Sequence, residues 1–347
     1  AMVRCRECTQ LAPVCEDCMV SSHRNQPFHW VDKWNGSYFE RKGLADLGLV
    51  MNLGHDGEPC PNLPTGAPKP IDVVIVHMNG VHQGKLQECH CVNRPSLVTQ
   101  LMRADIFPAS LHRIETAFTH EVLKAYDLLF NLAKVSTLDF VRWLARRTDN
   151  SAPQEVKDRY RDFLWAARIH KYLTMVKRSG RVHAIVLPGR DPDDITVPCL
   201  TCPWPDVNLP ADWEDAPPHL RYLYRIIFHC DGNHSLNKRS KQDDIKDVPL
   251  TNGQGQFVRN GKMQAYLDAR YNAKKQQGDG TDEVPGETCA GFKVIRSQRP
   301  GKFKYMDVSG VVAVICNHQF SLFGAVADLQ TAETWGHGDF ALAGALR

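Results

Sequence analysis

Between Leu220 and Leu236 the chain reads LRYLYRIIFHCDGNHSL, apolar and β-branched or aromatic for about ten residues before it breaks at Asp231–Gly232. This pattern predicts a buried central strand that delivers a carboxylate at its carboxyl end. An Asp–Gly turn closing an ordinary strand has the same pattern. Helical periodicity runs through SLVTQLMRA, THEVLKAYDLLFNLAKV, TLDFVRWLARRTD and PQEVKDRYRDFLWAARIHKYLTMVKRSG, which predicts a helical domain over 96–183. Thr116 and Ser136–Thr137 are its expected caps, and Pro153 suits a first turn. Upstream, YFERKGLADLGLVMNLGH and IDVVIVHMNGVHQGKLQECHC predict a β-rich region over 36–95, parted by the Gly/Pro-rich loop GHDGEPCPNLPTGAPKP. A strand is expected at RVHAIVLPG, and two more in SGVVAVICNHQFSLFGAVADLQ. Residues 237–287, polar and rich in Lys, Asp, Gln and Gly, predict a long, partly mobile insertion.

The 347 residues are enough for two or three domains, and 43% hydrophobic with 23% charged residues is the balance of a globular protein. No apolar run approaches the ~20 residues of a membrane span, and no signal-peptide core opens the chain. The net charge of +3 restricts any nucleic-acid surface to a local patch. One such patch is expected on the last predicted helix, where Lys157, Arg161, Arg168, Lys171 and Arg178 fall within roughly a 100° arc. A solvated helix face and a phosphate-contacting face are both compatible with it. The chain has no internal repeats, GxGxxG, P-loop or GxSxG motif.

Cysteine changes the picture. Eight of the 12 cysteines fall in close pairs, which suits metal binding in the cytosol or nucleus better than disulfides. Residues 1–35 carry Cys5-x2-Cys8, Cys15-x2-Cys18 and His23-x5-His29, thiolate and imidazole pairs of the kind tetrahedral Zn2+ takes. The short gap between the two cysteine pairs favours an interleaved arrangement like that of B-box and RING modules. Cys5, Cys8, His23 and His29 then make one site, while Cys15 and Cys18 belong to a second whose other pair lies upstream of Ala1 in a longer parent chain. His55, Cys60, Cys89 and Cys91 form another expected site, clipping a small sheet by a hairpin; buried reduced thiols are the alternative. His77, His82 and His90 are left over and expected to be exposed. Cys199-x2-Cys202, hemmed by prolines, reads as a zinc knuckle with Cys289, Cys316 and His318 as candidate partners.

Taken in order, Cys-x2-Cys, His-x5-His, FHWVDKWNGSYF, LGLVMNLGHDGEPCP, NGVHQGKLQECHC, RADIFPAS, CLTCPWPDVNLP, HCDGNHSL, GVVAVICNH, DLQTAE and GDFALAGALR resemble the Kyakuja–Dileera–Zisupton (KDZ) transposases. The closer resemblance is to the forms with a CxC2-type cysteine cluster that are expanded in mushroom-forming fungi. Motif order and spacing carry it over nearly the whole chain. The fold class it implies is α+β and multidomain: an N-terminal zinc-binding, β-rich cysteine cluster, a helical middle region, and a partial RNase H-like α/β domain. The expected segments are a B-box/RING-like zinc segment at 1–35, the CxC2-type cluster at 36–95, the helical domain at 96–183, and the RNase H-like domain at 184–347.

By the same resemblance Asp231 is the first catalytic carboxylate of a DDE set, followed by Gly232–Asn233–His234. Two departures stand out. Cys316–Asn317–His318 replaces the family's usual Cys-x-Arg-His, and Asp328–Leu329–Gln330–Thr331–Ala332–Glu333 replaces DLQKGE. The second catalytic Asp is expected in a strand beyond Arg347 and the Glu in a later helix, so the 347-residue chain is expected to be inactive alone. Asp328, Glu333 and Asp339 are the weaker candidates for completing the set. The implied activity is Mg2+-dependent DNA strand cleavage and transfer in the nucleus, with two to three structural Zn2+, DNA at transposon ends or target as partner, and self-association. No membrane partner and no small-molecule substrate are expected. The alternative is a non-catalytic, zinc-organised DNA- or protein-binding module; a B-box-like adaptor explains only the first 35 residues.

Overall fold

The computed structural model describes residues 2–9, 12–66, 68–187, 189–240, 250–251, 255–258, 260–276, 305–329 and 335–346. Its two compact units are Ala1–Lys171 and Tyr172–Arg347.

The first unit opens with strands β1 (Met2–Cys5) and β2 (Val14–Cys15), helix α1 (Glu16–Ser22), and strands β3 (Trp30–Trp34) and β4 (Phe39–Gly43). They form an antiparallel sheet in the order β2-β1-β3-β4. Alternation along β1 buries Val3 and Cys5 against Met19, Val31, Leu44 and Leu49. Six buried residues are a thin core, and such small sheets lean on a metal for stability.

Strands β5 (Met51–Asn52), β6 (Ile71–His77) and β7 (Gly80–Gln87), helix α2 (Leu97–Arg103), and strands β8 (Ile106–Pro108) and β9 (Thr116–Thr119) follow. They give a mixed sheet, β5-β7-β6-β9-β8, in which β6 pairs antiparallel with β7 and parallel with β9. Val73, Val74, Ile75 and Val76 are all buried, as a strand covered on both faces requires. One face packs on Leu53, Leu101, Ile106 and Ile114. The other packs on α3 (His120–Ala133), α4 (Thr137–Thr148) and α5 (Tyr160–Arg178) through Val122, Tyr126, Phe140, Leu144 and Phe163. The Ser96, Thr119 and Ser136 hydroxyls accept N–H groups at the starts of α2, α3 and α4.

Four expectations are corrected here. The middle region is not wholly helical, because RADIFPAS and the segment around Thr116 supply β8 and β9; Thr116 is a strand residue and Thr119 the cap. The last predicted helix is broken: a 3-10 turn at Pro153–Glu155 precedes α5, so Lys157 lies outside the helix. The described residues of RVHAIVLPG form no strand; the first of them are a 3-10 turn, Arg181–His183. His82 is buried rather than exposed, because alternation along β7 puts it on the inner face with Gly84 and Leu86; His77 and His90 are partly covered.

The second unit contains β10 (Phe228–Asn233), β11 (Lys238–Arg239), α6 (Asn260–Gln276), β12 (Met306–Val308), β13 (Gly310–Cys316), β14 (Ser321–Leu329) and α7 (Trp335–Ala345). An antiparallel sheet runs β10-β13-β14, and β11 pairs with β12. Val312, Val314, Cys316, Ala325, Ala327 and Leu329 make its core with Met263 of α6 and Ala341 of α7. The apolar run from Leu220 is therefore not a buried central strand. Arg221–Tyr224 is a 3-10 turn, and β10 is an edge strand among the described residues, largely exposed. Its partner sets the limit: β13 ends at Cys316, opposite Phe228, and turns away into β14 after one last bond from the Asn317 N–H to the Ile227 carbonyl at 2.8 Å.

Candidate metal centres

Three Cys/His tetrads form among the described residues, each with its four ligand atoms within 4.8 Å of one another: Cys5/Cys8/His23/His29, His55/Cys60/Cys89/Cys91, and Cys199/Cys202/Cys316/His318. Thiolates at about 2.3 Å and imidazoles at about 2.0–2.1 Å around one Zn2+ give ligand-to-ligand edges of roughly 3.3–3.8 Å. The close ligand-to-ligand contacts, 3.3–3.9 Å, lie near these lengths.

In the first tetrad Cys5 Sγ lies 3.4 Å from His29 Nδ1, and Cys8 Sγ lies 3.4 Å from His23 Nε2. Cys5 ends β1, Cys8 follows in a turn, His23 closes α1 and His29 precedes β3. The Cys8 N–H donates to Cys5 Sγ at 3.3 Å, fixing the loop. His23 Nδ1 lies 3.0 Å from the Met19 carbonyl, which can only accept. The proton is therefore on Nδ1 and the Nε2 lone pair faces the thiols, the orientation a metal-binding imidazole needs. Burial lowers the His29 pKa, keeping its ring in the neutral, ligating form.

In the second tetrad Cys60 Sγ is 3.9 Å from both Cys89 Sγ and Cys91 Sγ. His55 Nε2 is 3.3 Å from Cys89 Sγ and 3.4 Å from Cys91 Sγ. Residues 54–57 are all left-handed, including the non-glycines His55 (φ +49°) and Asp56 (φ +53°), and this tight curl aims His55 at the thiols. The Asn52 amide holds the curl through the Gly57 carbonyl at 3.0 Å. The N–H of His90, foremost, lowers Cys60 to about 6, poising it as a thiolate. The Asn62 amide donates to Cys91 Sγ at 3.2 Å, and buried Gln100 accepts the Cys89 N–H at 2.8 Å.

The third tetrad joins a proline-flanked turn to the β13–β14 hairpin, with Cys202 Sγ 3.6 Å from His318 Nδ1. Trp204 Nε1 donates to the Cys199 carbonyl at 2.8 Å and Asn208 Nδ2 to the Cys202 carbonyl at 2.9 Å. Burial pushes the Cys202 thiol up to about 12, so a metal ion held here would have to displace its proton. The residues present fit zinc at all three centres. Asn62, Gln100, Trp204 and Asn208 escaped the sequence reading because no spacing rule marks a residue that supports a ligand.

The structure leaves the other predicted ligands apart. Cys15 and Cys18 are exposed and belong to none of the three tetrads. Cys289 lies outside the described residues. Asp231 is exposed on β10 and belongs to no group of three or more His, Cys, Asp or Glu side chains among the described residues. The pairings Asn233↔Val311 and Val311↔Asp328 put Asp231 and Asp328 on one face of the sheet, two strands apart. Burial raises the Asp328 carboxyl. Asp339 is tied to Arg270 at 2.6 Å, and Glu333 lies outside the described residues.

On the basic face, Lys157, Arg161 and Arg178 are exposed and Arg168 is half-buried. Lys171 is held within the fold: its ammonium sits 3.4 Å from Asp127 and 3.8 Å above the Phe130 ring.

A chain that gathers Cys/His tetrads within each of its units has the build of a metal-organised protein. Residues 44–152 match the family model described as the CxC2-like cysteine cluster associated with KDZ transposases, and residues 224–347 match that of the Kyakuja-Dileera-Zisupton transposase. The chain thus carries a KDZ transposase region together with the family's associated cysteine cluster, and this supports its place in the KDZ transposase family. The first span contains the second tetrad; the other contains Cys316, His318 and Asp231. Neither a curated protein nor a solved structure matches the chain.

Proposed function

We propose that this chain is the zinc-organised, DNA-contacting portion of a KDZ transposase whose full activity is metal-dependent DNA strand cleavage and transfer in the nucleus. The observation that carries the reading is the coincidence of zinc-compatible tetrads with the two family matches. The meander β10-β13-β14, with Asp231 on its first strand, suits the first half of an RNase H-like sheet. In that role Asp231 is one of several carboxylates that clamp two Mg2+ ions about 3.5–4 Å apart, positioning the attacking and leaving oxygens in line. One carboxylate cannot hold such a pair. The separation of Asp231 from any carboxylate cluster among the described residues favours a second reading, in which these 347 residues bind DNA without cutting it.

Lys157, Arg161, Arg168 and Arg178 are the phosphate-contacting residues of this reading, with Lys171 anchoring α5. The test is duplex binding as a function of salt. Arg161→Glu with Arg178→Glu should weaken binding to all sequences alike and reduce the slope of log K against log[salt] by about two, since each phosphate contact contributes roughly 0.9. Unchanged affinity and slope would make the face a solvated one and remove the DNA assignment from α5.

A further inference from the structure

Arg159, immediately before α5, is a covered cation without a hydrogen-bond acceptor. Only 11% of its side chain is exposed, and its Nε is sealed from solvent with no partner among the described residues. Its ion pair is loose: Nη1 lies 3.7 Å from Asp162 Oδ2, beyond hydrogen-bond length, and that oxygen accepts the Thr116 hydroxyl at 3.0 Å. Arg190 and Arg41 differ, because each donates to two backbone carbonyls. A desolvated guanidinium carries five N–H donors, and leaving them unmade costs free energy. The backbone of the same turn is open as well. The α5 ladder begins with the Phe163 N–H on the Arg159 carbonyl at 2.8 Å, and the Tyr160 N–H goes to Asp158 Oδ1 at 2.8 Å. The N–H groups of Arg161 and Asp162 precede any carbonyl the helix can offer them. The 19 residues of α5 add the positive end of their dipole here. Between 157 and 162, the cations Lys157, Arg159 and Arg161 outnumber the acids Asp158 and Asp162.

We propose that the start of α5 is a phosphate site, in which the Arg159 guanidinium and the open N–H groups of Arg161 and Asp162 hold one phosphate of a DNA backbone. A planar guanidinium takes two phosphate oxygens at once, and N–H groups at a helix start take another. The phosphate supplies the acceptors that the free protein lacks, so binding recovers the stability that the fold gives up at Arg159. Lys157 and Arg161, both exposed, add positive charge around it. The inference rests on the DNA reading of α5. It adds to that surface a residue that lies outside the helical arc grouping the other cations.

The experiment uses the full chain, with zinc supplied, against a short duplex of arbitrary sequence and, separately, inorganic phosphate. Arg159→Met removes the charge and keeps the apolar stem. It should melt no lower than the parent, yet bind the duplex about ten-fold more weakly, with the slope of log K against log[salt] reduced by about one. Arg159→Lys should restore the slope without the full affinity, because an ammonium lacks the planar fork. At equal ionic strength, phosphate should raise the melting midpoint of the parent more than that of Arg159→Met. An Arg159→Met chain that melts lower than its parent overturns the site, since the guanidinium then holds the fold together. Phosphate stabilisation that needs Arg159, with duplex affinity that does not, assigns the site to a small phosphate compound and overturns the DNA backbone. If Arg161→Glu with Arg178→Glu weakens duplex binding and Arg159→Met does not, the exposed face stands and the phosphate site falls. If neither does, the DNA reading of α5 falls with it.

Discussion

His82 ligates nothing, but it ties two sheets of the first unit together. Its ring stacks on Trp30 with centroids 4.2 Å apart, and its Nε2 is 2.8 Å from Asn79 Oδ1. Burial, foremost, holds its pKa down to about 3, against 6.5 for a free imidazole. Between those values the unfolded chain binds a proton that the folded one does not. The stabilisation is complete above about pH 6.5 and is lost as pH falls toward 3, at about 1.4 kcal/mol per pH unit for this one group. His82→Phe keeps a ring against Trp30 and removes the titration. Urea unfolding at pH 7.0, 6.0 and 5.5 should show the substituted protein losing stability less steeply, by about one proton; equal slopes would contradict a buried neutral His82. The burial was legible in principle, since β7 alternates and His82 shares its face with Leu86. What the pattern could not reveal was the Trp30 ring, some fifty residues away in sequence, waiting to cover it.

At the scale of elements, α7 lies so close to β14 that backbone meets backbone. A Cβ on Gly344 would run into the Gly324 carbonyl, and Gly324 itself sits at φ +60°, where a side chain is strained. Gly338, in the first turn of the same helix, faces open space. Gly344→Ala should lower stability by about 1–3 kcal/mol, as overpacking does. Gly338→Ala should be neutral or stabilising by up to about 1 kcal/mol. Paired thermal melts check this, and a Gly344→Ala protein as stable as its parent would contradict the close approach. The hairpin β13–β14 was readable from GVVAVIC and SLFGAVADL because both alternate or run apolar between turn residues. The stretch from Leu220 misled for the same reason. An apolar run reports a preference for burial, whereas β10 can be no longer than the strand it pairs with.

For the whole molecule, the α+β class and the Cys/His spacing were visible in the sequence, and the spacing of Cys5, Cys8, His23 and His29 led directly to the tetrad that forms. The link between the Cys199 pair and Cys316 and His318 spans more than a hundred residues, and only the fold selects it from the candidates. No helix among the described residues is long and apolar enough to cross a membrane. The unit of 1–171 contains two zinc-compatible tetrads and three small cores, so chelation is predicted to destabilise it more than the loss of any one contact. All three tetrads are predicted to hold zinc. Elemental analysis of the washed, reduced Cys15→Ser/Cys18→Ser chain tests this most directly, because only the tetrads remain. The predicted result is three Zn2+ per chain; two or fewer would contradict it.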